Sequence, residues 1–369
     1  MKIAVVGPAH PYKGGGARHT TELAHRLADA GHDVIIESWR AQYPRRLYPG
    51  QQTVDVPDAE PYPRTRRRLA WYRPDGWLAE GRRLRAADLV IFALLTPLQA
   101  PPYLAILAAL GTNPGKAPRT AVICHNVLPH ERRPGDVALT RALLRRAGLV
   151  ITHSAAQAAQ AQSLAPDATV RTVPMPPHLP ATGLHNQGAE RAGLSAPATT
   201  RLLFFGIVRP YKGLDILLRA LAAAPAHVTL TVAGEFWGGT ADTENLIAGL
   251  GLAERVTLRP GYVPADQIPA LFAAADALVM PYSEATASQN ALLAFAHGVP
   301  VITTTAGALA EPVRDGVDGL TCAPGDPDDL LRVLRAISDP QVAQRLRAGI
   351  RPVDPEPGWT AYLRVLLER

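Results

Sequence analysis

Cysteine is scarce in this chain of 369 residues: only Cys124 and Cys322 occur, and they lie far apart. Two isolated cysteines exclude a disulfide framework and a cysteine-based metal cluster, and they fit a reducing compartment such as the cytoplasm. Long apolar runs are also missing. Polar residues and prolines interrupt the longest one, 86–110, which we expect to form a strand, a loop and a helix instead of a membrane span. The first residues follow a strand pattern, so we do not expect a secretory signal.

Positive charge is unevenly distributed along the chain. Residues 1–180 hold 23 Lys and Arg against 13 Asp and Glu, whereas residues 181–369 hold 15 against 19, which gives +10 and −4. The arginines are densest at 64–68 and 82–83. This asymmetry predicts an anionic partner for the first half, either a phosphorylated acceptor or an acidic membrane surface, with simple solubility as the alternative. We expect no nucleic-acid partner, because the arginines accompany neither a recognition motif nor a stacking platform.

Short apolar runs followed by helical patterns recur along the chain and predict parallel strands buried on both faces. They lie at 2–6, 33–37, 88–92, 120–124 and 148–152, and again at 201–205, 227–233, 255–259, 277–280 and 299–303. The stretch 173–197 is rich in proline and glycine, and we predict a linker at 181–198. We therefore predict an α/β chain with two Rossmann-like, doubly wound domains at 1–180 and 199–350. Residues 351–369 should form a segment and helix that pack back on the first domain.

The most informative stretch of the sequence is 204–215. An apolar run meets Gly206 there, and Arg209 and Lys212 follow in a loop before a predicted helix. Two cations three residues apart in such a loop are typical of a diphosphate clamp, and a solvated loop pair is the alternative. Parallel sheets bind ligands beyond the carboxyl ends of their strands, so we expect the two cations to face a cleft between the domains.

A second pattern covers 280–302, in which a polar loop precedes an Ala- and Leu-rich helix and the strand motif Gly298-Val299-Pro300-Val301-Ile302. With these motifs the chain resembles, over essentially its whole length, the retaining glycosyltransferases of family four, which have the GT-B fold. In that family the loop and the helix N-terminus hold the donor diphosphate with backbone N–H groups. This chain departs from the family at one motif. Its two usual glutamates fall at Ala285 and Leu293, although Glu284 lies one residue before the first.

The resemblance implies transfer of a sugar from a nucleotide-sugar donor to an acceptor hydroxyl with retention at the anomeric carbon. It implies catalytic roles for Arg209 and Lys212 at the departing diphosphate, for His125 at the donor sugar, and for Glu284 as a replacement for the first glutamate. The donor-binding residues that it implies are Gly15, Gly16, Gly206, Tyr262, Val263, Thr286, Ala287, Ser288 and Gln289. Arg18, His19 and His130 are the acceptor-binding candidates. Structural alternatives stay open, namely a simple turn at the glycines, a structural histidine, a helix cap at Ser288 and a solvated loop around His130.

Neither a cofactor nor a metal is implied, because two fixed cations can stabilise the leaving group. The Asp326-Pro327-Asp328 triplet resembles a metal motif of the other sugar-transferase fold but is predicted to cap a helix. Two other functions stay open: a sugar-nucleotide epimerase of the same architecture and a non-catalytic nucleotide-sugar-binding protein. The acceptor is a sugar, a lipid-linked intermediate or a small molecule. We expect a cytoplasmic protein, and the basic first domain leaves peripheral contact with the inner membrane face open.

Overall fold

The computed structural model describes residues 1–44, 51–57, 59–111, 117–129, 131–179, 199–285 and 288–368. The chain divides into two compact units. Unit 1 comprises Met1–His178 and Pro355–Arg369, and unit 2 comprises Leu179–Asp354. The predicted linker, 181–198, lies outside the described residues.

The described part of unit 1 is built on a parallel sheet of seven strands. They are β1 (Lys2–Val6), β2 (Asp33–Ala41), β3 (Thr65–Ala70), β4 (Leu89–Leu94), β5 (Arg119–Cys124), β6 (Leu149–Thr152) and β7 (Val170–Thr172). The strands lie in the order β3-β2-β1-β4-β5-β6-β7, and their pairings are parallel. All six residues of the central strand β4 are buried, because helices cover both faces of a sheet of this kind.

The helices of unit 1 follow its strands, and one of them comes from the end of the chain. In chain order they are α1 (Gly15–Asp29), α2 (Pro74–Arg83), α3 (Ala100–Leu110), α4 (Asp136–Leu144), α5 (Ala155–Leu164) and, numbered as the last helix of the chain, α12 (Glu356–Leu367). The buried side chains of α12 are Trp359, Tyr362 and Leu366, and they join the same apolar cluster as Val5 and Leu23.

Unit 2 repeats the design with six strands among its described residues. They are β8 (Thr200–Phe205), β9 (Val228–Gly234), β10 (Val256–Pro260), β11 (Ala277–Met280), β12 (Val301–Thr304) and β13 (Gly319–Cys322), and its helices are α6 (Leu214–Ala223), α7 (Ala241–Gly249), α8 (Ile268–Ala273), α9 (Asn290–Ala296), α10 (Pro327–Ile337) and α11 (Pro340–Gly349). The sheet order is β10-β9-β8-β11-β12-β13. The chain therefore changes direction across the sheet between β8 and β11, and the crevice beyond such a switch point is where parallel sheets bind ligands.

The predicted fold class is confirmed, and the bounds of each predicted strand agree within one or two residues, except that β2 extends four residues beyond its predicted end. Sequence reasoning missed β3, β7 and β13, which are short or polar. The helix cap predicted at Asp326 is also confirmed, because its carboxylate accepts hydrogen bonds at 3.0 Å from the backbone N–H groups of Asp328 and Asp329. No helix in the described ranges has the length and apolar character needed to cross a membrane.

The densest basic segment of the sequence is tied into the fold instead of being a free cationic surface. Arg66 lies 3.3 Å from Glu37, Arg83 lies 3.0 Å from Glu80, and Arg68 lies within 4.0 Å of both carboxylates. Both glutamates are fully buried. Burial and the neighbouring Glu80 carboxylate raise the pKa of Glu37 to about 7, although the arginines oppose the shift. An anionic partner for the first half of the chain stays a prediction.

Candidate functional site

Two loops meet at the switch point of unit 2, one after β8 and one after β11. Close backbone approaches lock them together. A Cβ atom on Gly213, whose φ is +66°, would lie 2.1 Å from the carbonyl oxygen of Pro281. A Cβ atom on Gly234, at the end of β9, would lie 1.9 Å from the carbonyl oxygen of Gly206. Such distances exclude any side chain, so glycine at these positions fixes where the loop after β8 lies.

Lys212, one of the two predicted clamp cations, lies in the centre of this arrangement. Its Nζ is 5.1 Å from the centroid of the Tyr282 ring. A Cβ atom on Gly206 would lie 3.5 Å from Lys212 Nζ and 3.5 Å from the side-chain amide of Asn290, so both groups border the same glycine. Burial lowers the pKa of Lys212, and the nearby Arg209 cation adds to the effect. An anion bound here would stabilise the charged form of Lys212 and so oppose both the effect of burial and that of Arg209.

Arg209 holds its guanidinium against aromatic rings. Its Cζ lies 4.6 Å from the centroid of the Trp237 ring and 5.5 Å from that of Tyr211. Planar guanidinium groups stack on such faces, which attract cations through the ring quadrupole. The short turn Pro210–Lys212 begins directly after Arg209, and the Lys212 N–H donates to the Arg209 carbonyl at 3.0 Å. The structure therefore brings both predicted cations together on one turn.

The loop after β11 is held against that turn by its serines and by a buried tyrosine. The backbone N–H and the hydroxyl of Ser283 both donate to the carbonyl of Tyr211, at 2.8 and 3.0 Å. The buried Tyr282 hydroxyl has hydrogen bonds with Ser288 and Asn290, and burial raises its pKa to about 12. Asn290 in turn donates from its side chain to the carbonyl of Phe205 at 3.0 Å. These contacts join the ends of β8 and β11.

The other predicted donor residues of unit 2 occupy different settings. Ser288 accepts a hydrogen bond from the Asn290 N–H at 3.3 Å, but Gln289 is the N-cap residue of α9, so Ser288 is not the cap of that helix. Gln289 is half-buried beside it, and Glu284 is exposed. Tyr262 and Val263 follow β10 and are half-buried. Two further candidates, Thr286 and Ala287, lie outside the described residues.

The two positions at which the resemblance places the glutamates of the family are apolar and packed in this chain. Ala285 is partly buried against the core of unit 2, and Leu293 is buried within that core. Leu293 therefore supplies no side-chain hydrogen bond to a nucleotide ribose. Among the described residues, the polar groups of this site are provided by the turn after β8 and by the Ser288–Asn290 region.

In unit 1 the predicted residues lie at the carboxyl ends of β1 and β5. Gly15 and Gly16 open α1, with Gly15 exposed, and Arg18 is half-buried in the first turn. His19, predicted to contact the acceptor, is instead fully buried. Its side chain makes hydrogen bonds within unit 1, so its position fits a structural role better than a direct acceptor contact. The third acceptor candidate, His130, lies outside the described residues.

His19 belongs to a histidine cluster formed by His19, His125, His153 and His178. His19 Nδ1 lies 2.8 Å from His178 Nε2, and His19 Nε2 lies 3.2 Å from the Tyr362 hydroxyl of α12. The His125 ring is 5.0 Å from that of His19 and 5.7 Å from that of His153. Burial lowers the pKa of all four imidazoles, to about 4 for His153 and about 3 for His178. The cluster is therefore neutral at physiological pH.

Gln157 fixes the backbone around two of these histidines. Its side-chain oxygen accepts from the His153 N–H at 2.8 Å, and its side-chain nitrogen donates to the His125 carbonyl at 3.0 Å. The Nε2 atoms of His125 and His153 are buried and have no hydrogen-bond partner among the described residues. Sequence reasoning identified His125 and missed His153, whose only signal was its place directly after β6. Across the described ranges, no group of three or more His, Cys, Asp or Glu side chains is arranged to hold a metal ion.

Both halves of the chain match protein-family models. Residues 13–176 match the model described as Glycosyltransferase Family 4, and residues 199–339 match the one described as Glycosyl transferases group 1. The D-inositol 3-phosphate glycosyltransferase of Mycobacterium sp. (strain JLS) is 34% identical over 169 residues, which cover 45% of this chain and 38% of that protein. D-inositol 3-phosphate glycosyltransferase 1 of Catenulispora acidiphila is 31% identical over 261 residues, which cover 65% and 62%. The chain thus spans less than two thirds of the length of either relative.

Solved structures with the same fold align over nearly the whole chain. Sucrose-phosphate synthase from Thermosynechococcus elongatus has a TM-score of 0.75 at 19% identity and covers 99% of this chain and 98% of its own. Anabaena Alr3699/HepE, in complex with UDP and glucose, has a TM-score of 0.73 at 20% identity and covers 99% of both chains. At these identities the likeness establishes the GT-B architecture.

Proposed function

We propose a function from the premise that this chain is a glycosyltransferase with the GT-B fold, whose two halves match the family 4 and group 1 models. In this proposal it transfers a sugar from a nucleotide-sugar donor to an acceptor hydroxyl, with retention at the anomeric carbon. One observation carries the proposal. Arg209 and Lys212 lie on one glycine-locked turn at the switch point of a parallel sheet. Two fixed, partly desolvated cations at that place match the charge of a diphosphate.

The chemistry follows from how charge develops during transfer. As the bond between the sugar and the diphosphate breaks, negative charge grows on the leaving oxygen, so cations fixed beside it stabilise the transition state more than the ground state. Lys212 is suited to this role because it is partly desolvated, so an approaching dianion interacts with it more strongly than in water and favours its charged form. In a front-face reaction the leaving diphosphate also accepts the acceptor proton, which requires no enzymic nucleophile.

The choice of substrates to test comes from the relatives. A structural neighbour was solved with UDP and glucose, so UDP-sugars are the first donors in a panel that also contains GDP-, ADP- and dTDP-sugars. The curated relatives are named for inositol 3-phosphate, so a phosphorylated polyol is the first acceptor. Sugars and lipid-linked acceptors follow. No metal is required in this proposal, because the two side-chain cations supply the charge that a divalent ion supplies elsewhere.

The experiment combines binding and turnover. Thermal unfolding is measured with each donor, and a ligand at about one hundred times its dissociation constant adds about 2.7 kcal/mol of stability. Release of nucleoside diphosphate is then measured with the donor that binds. We expect Arg209→Ala and Lys212→Ala to weaken donor binding strongly and to lose diphosphate release. Arg219→Ala is the matched control, since Arg219 is an exposed arginine of α6 in the same unit.

Each outcome decides between the functions. Diphosphate release that needs an acceptor and is lost in Lys212→Ala supports the transferase, and NMR of the product's anomeric proton tests retention. Conversion of the donor into an isomeric sugar nucleotide without an acceptor indicates an epimerase. Binding without turnover across the acceptor panel indicates a non-catalytic binding protein, which the apolar Ala285 and Leu293 would suit. No binding by any donor overturns the clamp.

A further inference from the structure

We propose that Trp237 is a positioning residue for the diphosphate clamp, acting through Arg209. The proposal rests on the function proposed above, because it concerns how that clamp is kept in a binding geometry. Trp237 follows β9, the strand next to β8 in the sheet, so the sheet itself brings its loop beside the clamp turn. The indole ring lies 4.6 Å from Arg209 Cζ, which is closer than the Tyr211 ring at 5.5 Å.

Backbone hydrogen bonds fix the position of the Trp237 loop relative to the strand exit. The Val208 N–H donates to the Glu235 carbonyl at 2.7 Å, and the Trp237 N–H donates to the Val208 carbonyl at 3.3 Å. Val208 and Phe236 form a parallel bridge between these two hydrogen bonds. The pairing of β8 and β9 thus continues past the ends of both strands. The backbone of Trp237 is thus hydrogen-bonded to Val208, the residue before Arg209, and this fixes the indole relative to the guanidinium.

An aromatic face is suited to holding an arginine that must bind an anion. Stacking orients the planar guanidinium while leaving its in-plane N–H groups and its full positive charge available. A long side chain that is already ordered loses less conformational entropy when the ligand binds. Removing the indole should therefore weaken diphosphate binding by loosening Arg209, even though Trp237 itself contacts no phosphate in this proposal.

The test is a double-mutant cycle read by binding of UDP, GDP, ADP and dTDP, with calorimetry as the assay. We expect Trp237→Leu to weaken binding by about 2- to 30-fold, the range of a cation–aromatic contact. Trp237→Phe keeps an aromatic face and should recover most of the affinity. In an Arg209→Ala background Trp237→Leu should have no further effect, because the residue through which it acts is gone. Trp71→Leu, at an exposed tryptophan of unit 1, is the matched control.

The outcomes separate this proposal from the proposed function. If the wild type binds no nucleoside diphosphate, the clamp itself fails. If the wild type binds and Trp237→Leu binds equally well, the positioning role is overturned. A loss that persists in the Arg209→Ala background and differs among the four bases also overturns it, because that pattern means that the indole contacts the nucleoside directly. A melting temperature for each unliganded variant shows that unit 2 remains folded.

Discussion

Acidification should destabilise unit 1 through its histidine cluster. His19, His153 and His178 are almost completely buried, and their pKa values lie well below 6.5, at about 4 for His153 and about 3 for His178. Imidazoles that stay neutral in the fold become protonated on unfolding once the pH falls below about 6.5. The unfolded chain then binds more protons than the folded one, so stability is fully present above pH 6.5 and is lost as the pH falls.

The size of this effect follows from the linkage relation. At pH 5.5 each such histidine lowers the free energy of unfolding by about 1.4 kcal/mol relative to pH 8, and the three together by about 4 kcal/mol. A whole domain is typically stable by only about 5–15 kcal/mol. Helix α12 should detach first, because its Tyr362 hydroxyl bonds to His19 and its Trp359 ring stacks on the same imidazole. The Arg18 cation also lowers the pKa of His178, so it further disfavours protonation of that imidazole in the fold.

Hydrogen–deuterium exchange at pH 8 and pH 5.5, corrected for the intrinsic exchange rates, provides the assay. Amides of α12 and β6 should lose several kcal/mol of protection at the lower pH, and those of unit 2 serve as an internal reference. The double variant with His153→Asn and His178→Gln removes two titrating groups and keeps hydrogen-bonding capacity. Between pH 8 and pH 5.5, the protection free energy of these amides should fall by about 3 kcal/mol less in this variant than in the wild type. Equal losses in the wild type and the variant would refute the assignment of a neutral cluster.

Three further predictions concern other parts of the molecule. Gly213→Ala should destabilise unit 2 by about 3 kcal/mol or more in urea unfolding, because the new Cβ meets the Pro281 carbonyl. Gly316→Ala, at a similar φ of +71° but with open space, should cost only about 1 kcal/mol, and equal costs would contradict the close approach. Because the pKa of Glu37 is raised to about 7, its carboxyl should contribute up to about 3 kcal/mol of stability at pH 5 that is lost by pH 8, opposite in sign to the effect of the histidines. Glu37→Gln should therefore make stability rise more steeply with pH than in the wild type, and an unchanged slope would show that the carboxyl titrates normally. Chelation with EDTA should leave glycosyl transfer intact, and loss of activity that Mg²⁺ restores would instead assign a metal to the reaction.

The central strands of both sheets were predictable because each has a local signal in the sequence. A strand such as Leu89–Leu94 is buried along its whole length and reads as a continuous apolar run, so no knowledge of its neighbours is needed. Strand β3 shows the limit of such reasoning. Its arginines look like a solvated surface in sequence, but they pair with Glu37, which is fully buried on β2. That contact joins residues 29 positions apart and has no local signature.

The same distinction explains which site residues were found. Arg209 and Lys212 lie three residues apart in one loop, so the sequence alone places them together. Trp237 approaches Arg209 only because β9 lies beside β8, and a strand order is a tertiary property. The pairing of His19 with His178 joins residues 159 positions apart. The resemblance implies an acceptor role for His19, and the structure places its ring beside His125, His178 and Tyr362, none of which is near it in sequence.

The chain uses its cations in two physically different ways, and the partner decides which. Arg66 and Arg83 lie beside buried carboxylates, so each guanidinium has an acidic partner within unit 1. Arg209 and Lys212 are oriented by aromatic rings, which attract a cation without cancelling its charge. The clamp proposed at the switch point of unit 2 therefore depends on how its two cations are held and not on the number of basic residues, whose excess lies in the first half of the chain.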